Sequence, residues 1–300
     1  MAFQRIGILS IGEMGYHWGR LLASHGVEVL TCTKGRSEVT SKRAENAGAR
    51  SVPSLARLVS ESDLVVSVVV PSAAKRVAAK VAKALIKVGR KDLLYLDANA
   101  ISPMTAKEIE QHLFPASANF VDGCIIGSAA KMGQGTVVYV SGPQAARIQD
   151  LEQSGFSVRI LGPEIAQASA FKIVYAGLTK GLQGLFVELL VGARKFGLLD
   201  EILKQYDESF PGLPGKVASS IAALPVHAGR RAEEMDELNQ TFRHHGLRAV
   251  MAPATRKVLE AIASLNAGEA SETGERKGNL LETVELFFQR GLLQEKSVEG

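Results

Sequence analysis

The first half of the chain alternates short apolar runs with amphipathic stretches, and glycine or small polar residues punctuate the alternation. Arg5-Ile6-Gly7-Ile8-Leu9-Ser10 reads as a short buried strand. Gly12 and Gly15 follow, then a helix over residues 14–25 that Gly26 stops. Val27-Glu28-Val29-Leu30-Thr31 reads as a second strand, so these first residues have the order and size of one βαβ unit. The pattern then repeats. A helix is expected over residues 37–47, with Gly48 as its stop signal. Leu64-Val65-Val66-Ser67-Val68-Val69-Val70 is an unbroken β-rich run, the mark of a strand covered on both faces. Helices over residues 73–88 and 102–112 are expected, with strands over 93–97, 120–122, 136–140 and 158–161. Strand and helix in turn predict an α/β fold: a Rossmann-type, doubly wound, mostly parallel sheet.

After Gly162-Pro163 the pattern changes. Residues 164–196 carry no proline and read as one long helix, with Pro163 suited to a first helical turn. From there the chain reads as helices broken at residues 210–215 and near Pro225. The spacing places a boundary at residue 162, between an α/β domain (1–162) and an all-helical domain (163–300). Residues 265–278 are polar and contain glycine, and are expected to form a mobile loop.

Composition narrows the function. The 300 residues are 46% hydrophobic and 22% charged, enough for two packed domains. The net charge is only +4, and basic residues such as Lys75, Arg76, Lys80, Lys83 and Lys87 are spaced as on a solvated helix face. A nucleic-acid partner is therefore not expected, whereas a modest positive field suits an anionic cofactor. The two cysteines, Cys32 and Cys124, give no disulfide framework and point to a reducing cytoplasm. The six histidines form no ligand motif, so no metal is expected. No secretory signal is visible, and apolar runs such as residues 64–71 are too short for a membrane span.

Ser10-Ile11-Gly12-Glu13-Met14-Gly15 occupies the place of a dinucleotide fingerprint: after a strand, opening a helix, inside a βαβ unit. Gly12 would let the backbone approach a pyrophosphate, and Gly15 would let helix and strand pack closely. The helix start would then offer N–H groups and a positive dipole end to the phosphates. An ordinary tight turn is the alternative. Ser10 stands where the first glycine is usual; a positive φ there would strain it, and an extended backbone would not. An NAD site usually carries an acid at the end of the second strand. Here that end reads Thr31-Cys32-Thr33-Lys34-Gly35-Arg36-Ser37, without one. Lys34 and Arg36 would balance a 2′-phosphate, and Thr33 and Ser37 would donate hydrogen bonds, so NADP is expected. Val70 and Pro71 close a buried strand at the carboxyl edge of the sheet, where such folds bind ligands.

These residues resemble the β-hydroxyacid dehydrogenase and 6-phosphogluconate dehydrogenase superfamily. More narrowly, the chain looks like a poorly characterised branch with a phosphogluconate-dehydrogenase-like C-terminal domain. Residues 6–15 resemble the family's opening strand and Gly-x-Met-Gly turn. Residues 96–103 resemble its segment beside the nicotinamide ribose, which implies a ribose contact for Asn99. Asp122-Gly123-Cys124-Ile125-Ile126-Gly127-Ser128-Ala129 sits where the family binds substrate, which makes Gly127 and Ser128 candidates. Ala168-Ser169-Ala170-Phe171-Lys172 sits where the family carries its catalytic lysine. His227 to Met235 looks like a segment of the poorly characterised branch. Two positions depart from the pattern: the substrate serine falls on Ile126, and the asparagine four residues after the lysine falls on Ala176. Neither side chain can hold a substrate carboxylate in the usual way.

The resemblance implies an NADP(H)-dependent oxidoreductase of the CH–OH class, acting on a small hydroxy or keto acid between the two domains. Hydride transfer needs a group that takes or returns the hydroxyl proton, and Lys172 is the candidate. The alternative is a lysine that snorkels out of the long helix. Lys180, eight residues on, shares its helix face and would bind an acidic substrate group, with Arg231 in support. An imine reductase on the same scaffold and a non-catalytic NADP(H)-binding regulator are the competing functions. The apolar long helix, with Leu178, Leu182, Leu185, Phe186, Leu189 and Leu190, predicts a homodimer.

Overall fold

The computed structural model describes residues 3–265 and 279–294. Of the segment expected to be a mobile loop, residues 266–278 lie outside the described residues. The chain divides into two compact units, Met1–Lys172 and Ile173–Gly300.

The first unit is built on an eight-stranded sheet. Its strands are β1 (Arg5–Leu9), β2 (Glu28–Thr31), β3 (Ala49–Ser51), β4 (Leu64–Ser67), β5 (Leu94–Asp97), β6 (Asn119–Ile126), β7 (Val137–Ser141) and β8 (Ser157–Gly162). The helices between them are α1 (Glu13–Ser24), α2 (Glu38–Asn46), α3 (Leu55–Glu61), α4 (Ala74–Val88) and α5 (Pro103–Leu113). Strand order is β3-β2-β1-β4-β5-β6-β7-β8, and every pair is parallel except β6 with β7. The order reverses at β1, which has β2 on one side and β4 on the other. Ligands bind such sheets at the carboxyl ends of the strands beside that reversal.

Successive side chains on the central strands feed two cores. Ile6, Ile8, Leu64, Val66, Leu94 and Leu96 pack with Trp18 and Leu22 of α1 on one face. Val65 and Tyr95 pack with Leu58, Ala78, Leu85 and Ile109 on the other. Both faces are dry, which is why these strands lack apolar–polar alternation.

Several boundaries moved. The strand expected over residues 64–70 ends at Ser67, because the Val69 N–H turns to the Asn99 side-chain oxygen at 2.7 Å. The strand expected over 120–122 runs on to Ile126. β3 and α3 had no clear sequence signal: one is three residues long with Arg50 and Ser51 exposed, the other seven residues. Residues 145–154, between β7 and β8, form a 3-10 helix.

The second unit is helical, with a core drawn from α6 (Gln167–Lys195), α8 (Leu213–Ala222), α9 (Leu224–His244), α10 (Met251–Ser264) and α11 (Leu280–Gln289); α7 (Leu199–Ser209) adds half-buried side chains. The break expected near Pro225 falls at Ala223, between α8 and α9, and Pro225 itself sits in the first turn of α9. The expected boundary at residue 162 falls at the end of β8, whereas the two units divide inside α6, after Lys172.

Candidate functional site

The turn after β1 is shaped by one close approach. A Cβ on Gly15 would lie 2.1 Å from the Ser10 carbonyl oxygen, so only glycine fits there. Ser10 itself has φ 100, so the serine in the first glycine position is strained. Gly12 is the N-cap of α1, and no side chain caps that helix. By contrast, Ser37, Ser54 and Ser102 cap α2, α3 and α5. The first backbone N–H groups of α1 therefore lack an intrahelical acceptor and a capping oxygen, which suits an anion. Ile11 is buried beneath the turn, Met14 is half-buried and Glu13 is exposed.

At the end of β2 the Thr31 hydroxyl donates to the Ile8 carbonyl at 2.9 Å, tying this loop to the glycine turn. The Thr33 and Ser51 hydroxyls are 2.7 Å apart, and the Arg36 N–H returns to the Thr33 carbonyl across Gly35, whose φ is 76. Lys34, Arg36 and Ser37 are exposed. Neither cation meets a carboxylate among the described residues. Val70 and Pro71, also exposed, open the 3-10 turn that leads into α4.

Asn99 is buried, and its amide is fully engaged. Its oxygen accepts from Val69, and its nitrogen donates to Asp97 at 2.9 Å and Ser67 at 3.0 Å. Asp97 and Asp122 are register partners on β5 and β6, and both are fully buried. Burial raises the Asp97 carboxyl to about 7 against the Asn99 N–H that favours its ionised form, and the Asp122 charge adds to the rise. Burial also raises Asp122, opposed by donors from Ser169 and Ser141. Sequence reading singled out neither aspartate as functional. A polar residue inside an apolar strand was the available signal.

Lys172 ends the first unit. Its Nζ donates to the Ile125 carbonyl at 2.7 Å, close to the Ile126-Gly127-Ser128 turn. Gly127 has φ 129, and a Cβ there would lie 2.3 Å from the Thr136 hydroxyl oxygen. That hydroxyl donates to the Ser128 carbonyl at 2.6 Å, so the turn is closely held while Gly127 and Ser128 stay exposed. The Cys124 thiol is pushed up to about 12 by burial, although the Lys172 charge works against the rise, so it is no nucleophile. The structure thus brings Lys172 to the substrate-type turn.

Lys180 and Arg231 lie in the second unit and are brought near one another there. Lys180 pairs with Glu234 at 2.6 Å, and Arg231 donates to Gln183 at 3.0 Å and to the Ser220 carbonyl at 2.8 Å.

The same features recur in known proteins. A model for the NAD binding domain of 6-phosphogluconate dehydrogenase matches residues 5–153, and a model for a domain of unknown function, DUF1932, matches residues 193–262. An uncharacterised 28.5 kDa protein of Methanothermus fervidus is 31% identical over 263 residues, 86% of this chain and 98% of the relative. A solved conserved protein of unknown function, described as structurally similar to 3-hydroxyacid dehydrogenases, is 27% identical. It superposes with a TM-score of 0.73 over 88% of this chain and 99% of its own. A 3-hydroxyisobutyrate dehydrogenase of Mycobacterium tuberculosis, solved with L-serine, shares the fold at a TM-score of 0.70 and 17% identity. That match covers 89% of this chain and 96% of the enzyme. A dinucleotide-binding sheet with a glycine turn, followed by this helical domain, places the chain in the superfamily of 6-phosphogluconate and β-hydroxyacid dehydrogenases, within the branch that carries the C-terminal domain of unknown function.

Proposed function

We propose that the protein is an NADP(H)-dependent oxidoreductase acting on a small polar hydroxy or keto acid, with Lys172 as the proton carrier. The observation that carries the reading is the Lys172 amine, held at the carboxyl side of the sheet on the Ile125 carbonyl. The uncapped start of α1 fits a pyrophosphate, with the N–H groups of residues 11–15 as its donors. Lys34 and Arg36, with Thr33 and Ser37, fit a 2′-phosphate. Val70, Pro71 and the Asn99 segment border the rest of the nucleotide. When bound, the nicotinamide supplies or accepts the hydride. The chain's own task is to orient the substrate and move one proton at Lys172 Nζ. Gly127 and Ser128 offer a backbone N–H and a hydroxyl to the substrate.

The test is NADPH oxidation against a panel of keto acids, aldehydes and cyclic imines. Turnover of keto acids is expected, and Lys172→Met should lower it by more than about tenfold, equivalent to about 1.4 kcal/mol of barrier. Survival of turnover within that factor would remove Lys172 from the role. Turnover of imines alone would favour the imine reductase, and nucleotide binding with no turnover the regulator.

A homodimer is part of the same reading. Val174, Leu178, Leu185 and Leu189 recur at helical spacing on α6 and are 58%, 66%, 45% and 43% exposed. By length and composition α6 would also cross a membrane, with a mean hydropathy of 1.2 in its most apolar window. A second copy is the occupant that accords with a dehydrogenase fold. Light scattering that returns one chain per particle would exclude it.

A further inference from the structure

Four polar side chains cross the sheet in register. Ser67, Asp97, Asp122 and Ser141 are successive partners on β4, β5, β6 and β7, and all are fully buried. A buried carboxylate is tolerated only when donors fill its oxygens. The two aspartates draw their donors from different places. Asp97 takes them from the Asn99 turn. Asp122 takes them from the first turn of α6: Ser169 donates its hydroxyl at 2.6 Å and its N–H at 2.9 Å. Ser141 donates to Asp122 at 3.2 Å and accepts the Ala168 N–H at 2.9 Å.

Ala168 and Ser169 sit where a helix has N–H groups without intrahelical acceptors. Asp122 and Ser141 thus cap α6 from the neighbouring strands. Lys172 follows Ser169 by one turn, and its Nζ returns to Ile125, three residues beyond Asp122 on the same strand. Phe171 adds a packing contact, its ring 4.5 Å from that of Tyr139 on β7.

We infer that Asp122 is a positioning residue that pins the first turn of α6 to β6 and so sets where the Lys172 amine stands. The effect on turnover rests on Lys172 being the proton carrier; the effect on the amine's surroundings does not.

The test labels the full-length protein by reductive methylation with formaldehyde and cyanoborohydride as the hydride donor, across pH 6–10, and reads Lys172 by peptide mass spectrometry. Asp122→Asn should speed Lys172 labelling at least about fivefold and shift its pH profile. Asp97→Asn, which disturbs the same polar row without touching α6, should leave labelling within about twofold. Ser169→Ala should act in the same direction as Asp122→Asn but more weakly, and Ser169→Thr should restore the wild-type rate. If Asp122→Asn fails to fold, the two Ser169 variants decide. With a substrate in hand, Asp122→Asn should lower kcat at least about tenfold while KM for NADPH stays within about threefold. Unchanged labelling in both Asp122→Asn and Ser169→Ala overturns the inference, as does equal acceleration in Asp97→Asn. If Lys172→Met keeps full activity while Asp122→Asn still exposes the amine, the anchor stands and the proton-carrier reading falls.

Discussion

Ser10→Gly should stabilise the protein, although it removes a side chain from the start of the glycine turn. Ser10 holds φ 100, a region that residues with a Cβ occupy at a strain of about 1–3 kcal/mol. Glycine adopts it without strain, but returns about 0.5–1 kcal/mol through the greater freedom of the unfolded chain. The Ser10 hydroxyl makes no hydrogen bond among the described residues, so nothing polar is lost. The net is a gain of about 1 kcal/mol, or about 2–4 °C in Tm for a folding unit the size of Met1–Lys172. Scanning calorimetry on the full-length protein reads the shift, in the transition that reports the first unit. The carbonyl that packs over Gly15 is unaltered, so NADPH affinity should hold within about threefold. A fall in Tm would refute the strain argument, and would mean that the serine side chain supports the turn.

Gly15→Ala should do the opposite. Its Cβ meets a backbone oxygen at 2.1 Å, so the protein should lose about 2–3 kcal/mol by denaturant unfolding and lose nucleotide binding with it. Lys34→Ala with Arg36→Ala should weaken NADPH at least about tenfold and leave NADH within about twofold; an equal loss for both would remove the 2′-phosphate role. Asp97 gives a pH dependence of known sign. Its folded carboxyl titrates near 7, above the usual value, so its ionisation opposes folding. That penalty is absent below about pH 4, where the group is protonated in both states, grows as pH rises, and is complete above about 7. Asp97→Asn should flatten this part of the stability profile, and an unchanged slope would show that Asp97 does not titrate in that window.

The βαβ opening was legible because glycines, apolar runs and helix stops agree with one another over thirty-odd residues. Boundaries that depend on distant partners were not. The strand at Leu64 ends early because a side chain thirty residues away, Asn99, claims the Val69 backbone donor. β3 escaped notice because an exposed edge strand of three residues carries no apolar pattern. Of the candidate site, the turn and the basic loop could be named from residue order, whereas Lys172 stood out only through the family resemblance. The sequence left Ser10 two backbone conformations, and only the fold selects between them. The Ser67–Asp97–Asp122–Ser141 row was invisible in the same way: strand register creates it, and no spacing along the chain encodes it.

Among the sheet's helices, α1 and α4 have no side-chain cap, and α1 is the one that opens from the glycine turn. Its neighbours α2, α3 and α5 begin on a serine of their own, whereas α1 begins on bare glycine. The fold is thus left one group short, and whatever anion supplies that group becomes a structural component as well as a ligand. Occupancy and heat resistance are then two readings of one equilibrium, so that each tenfold excess over Kd adds about 1.4 kcal/mol to the resting protein.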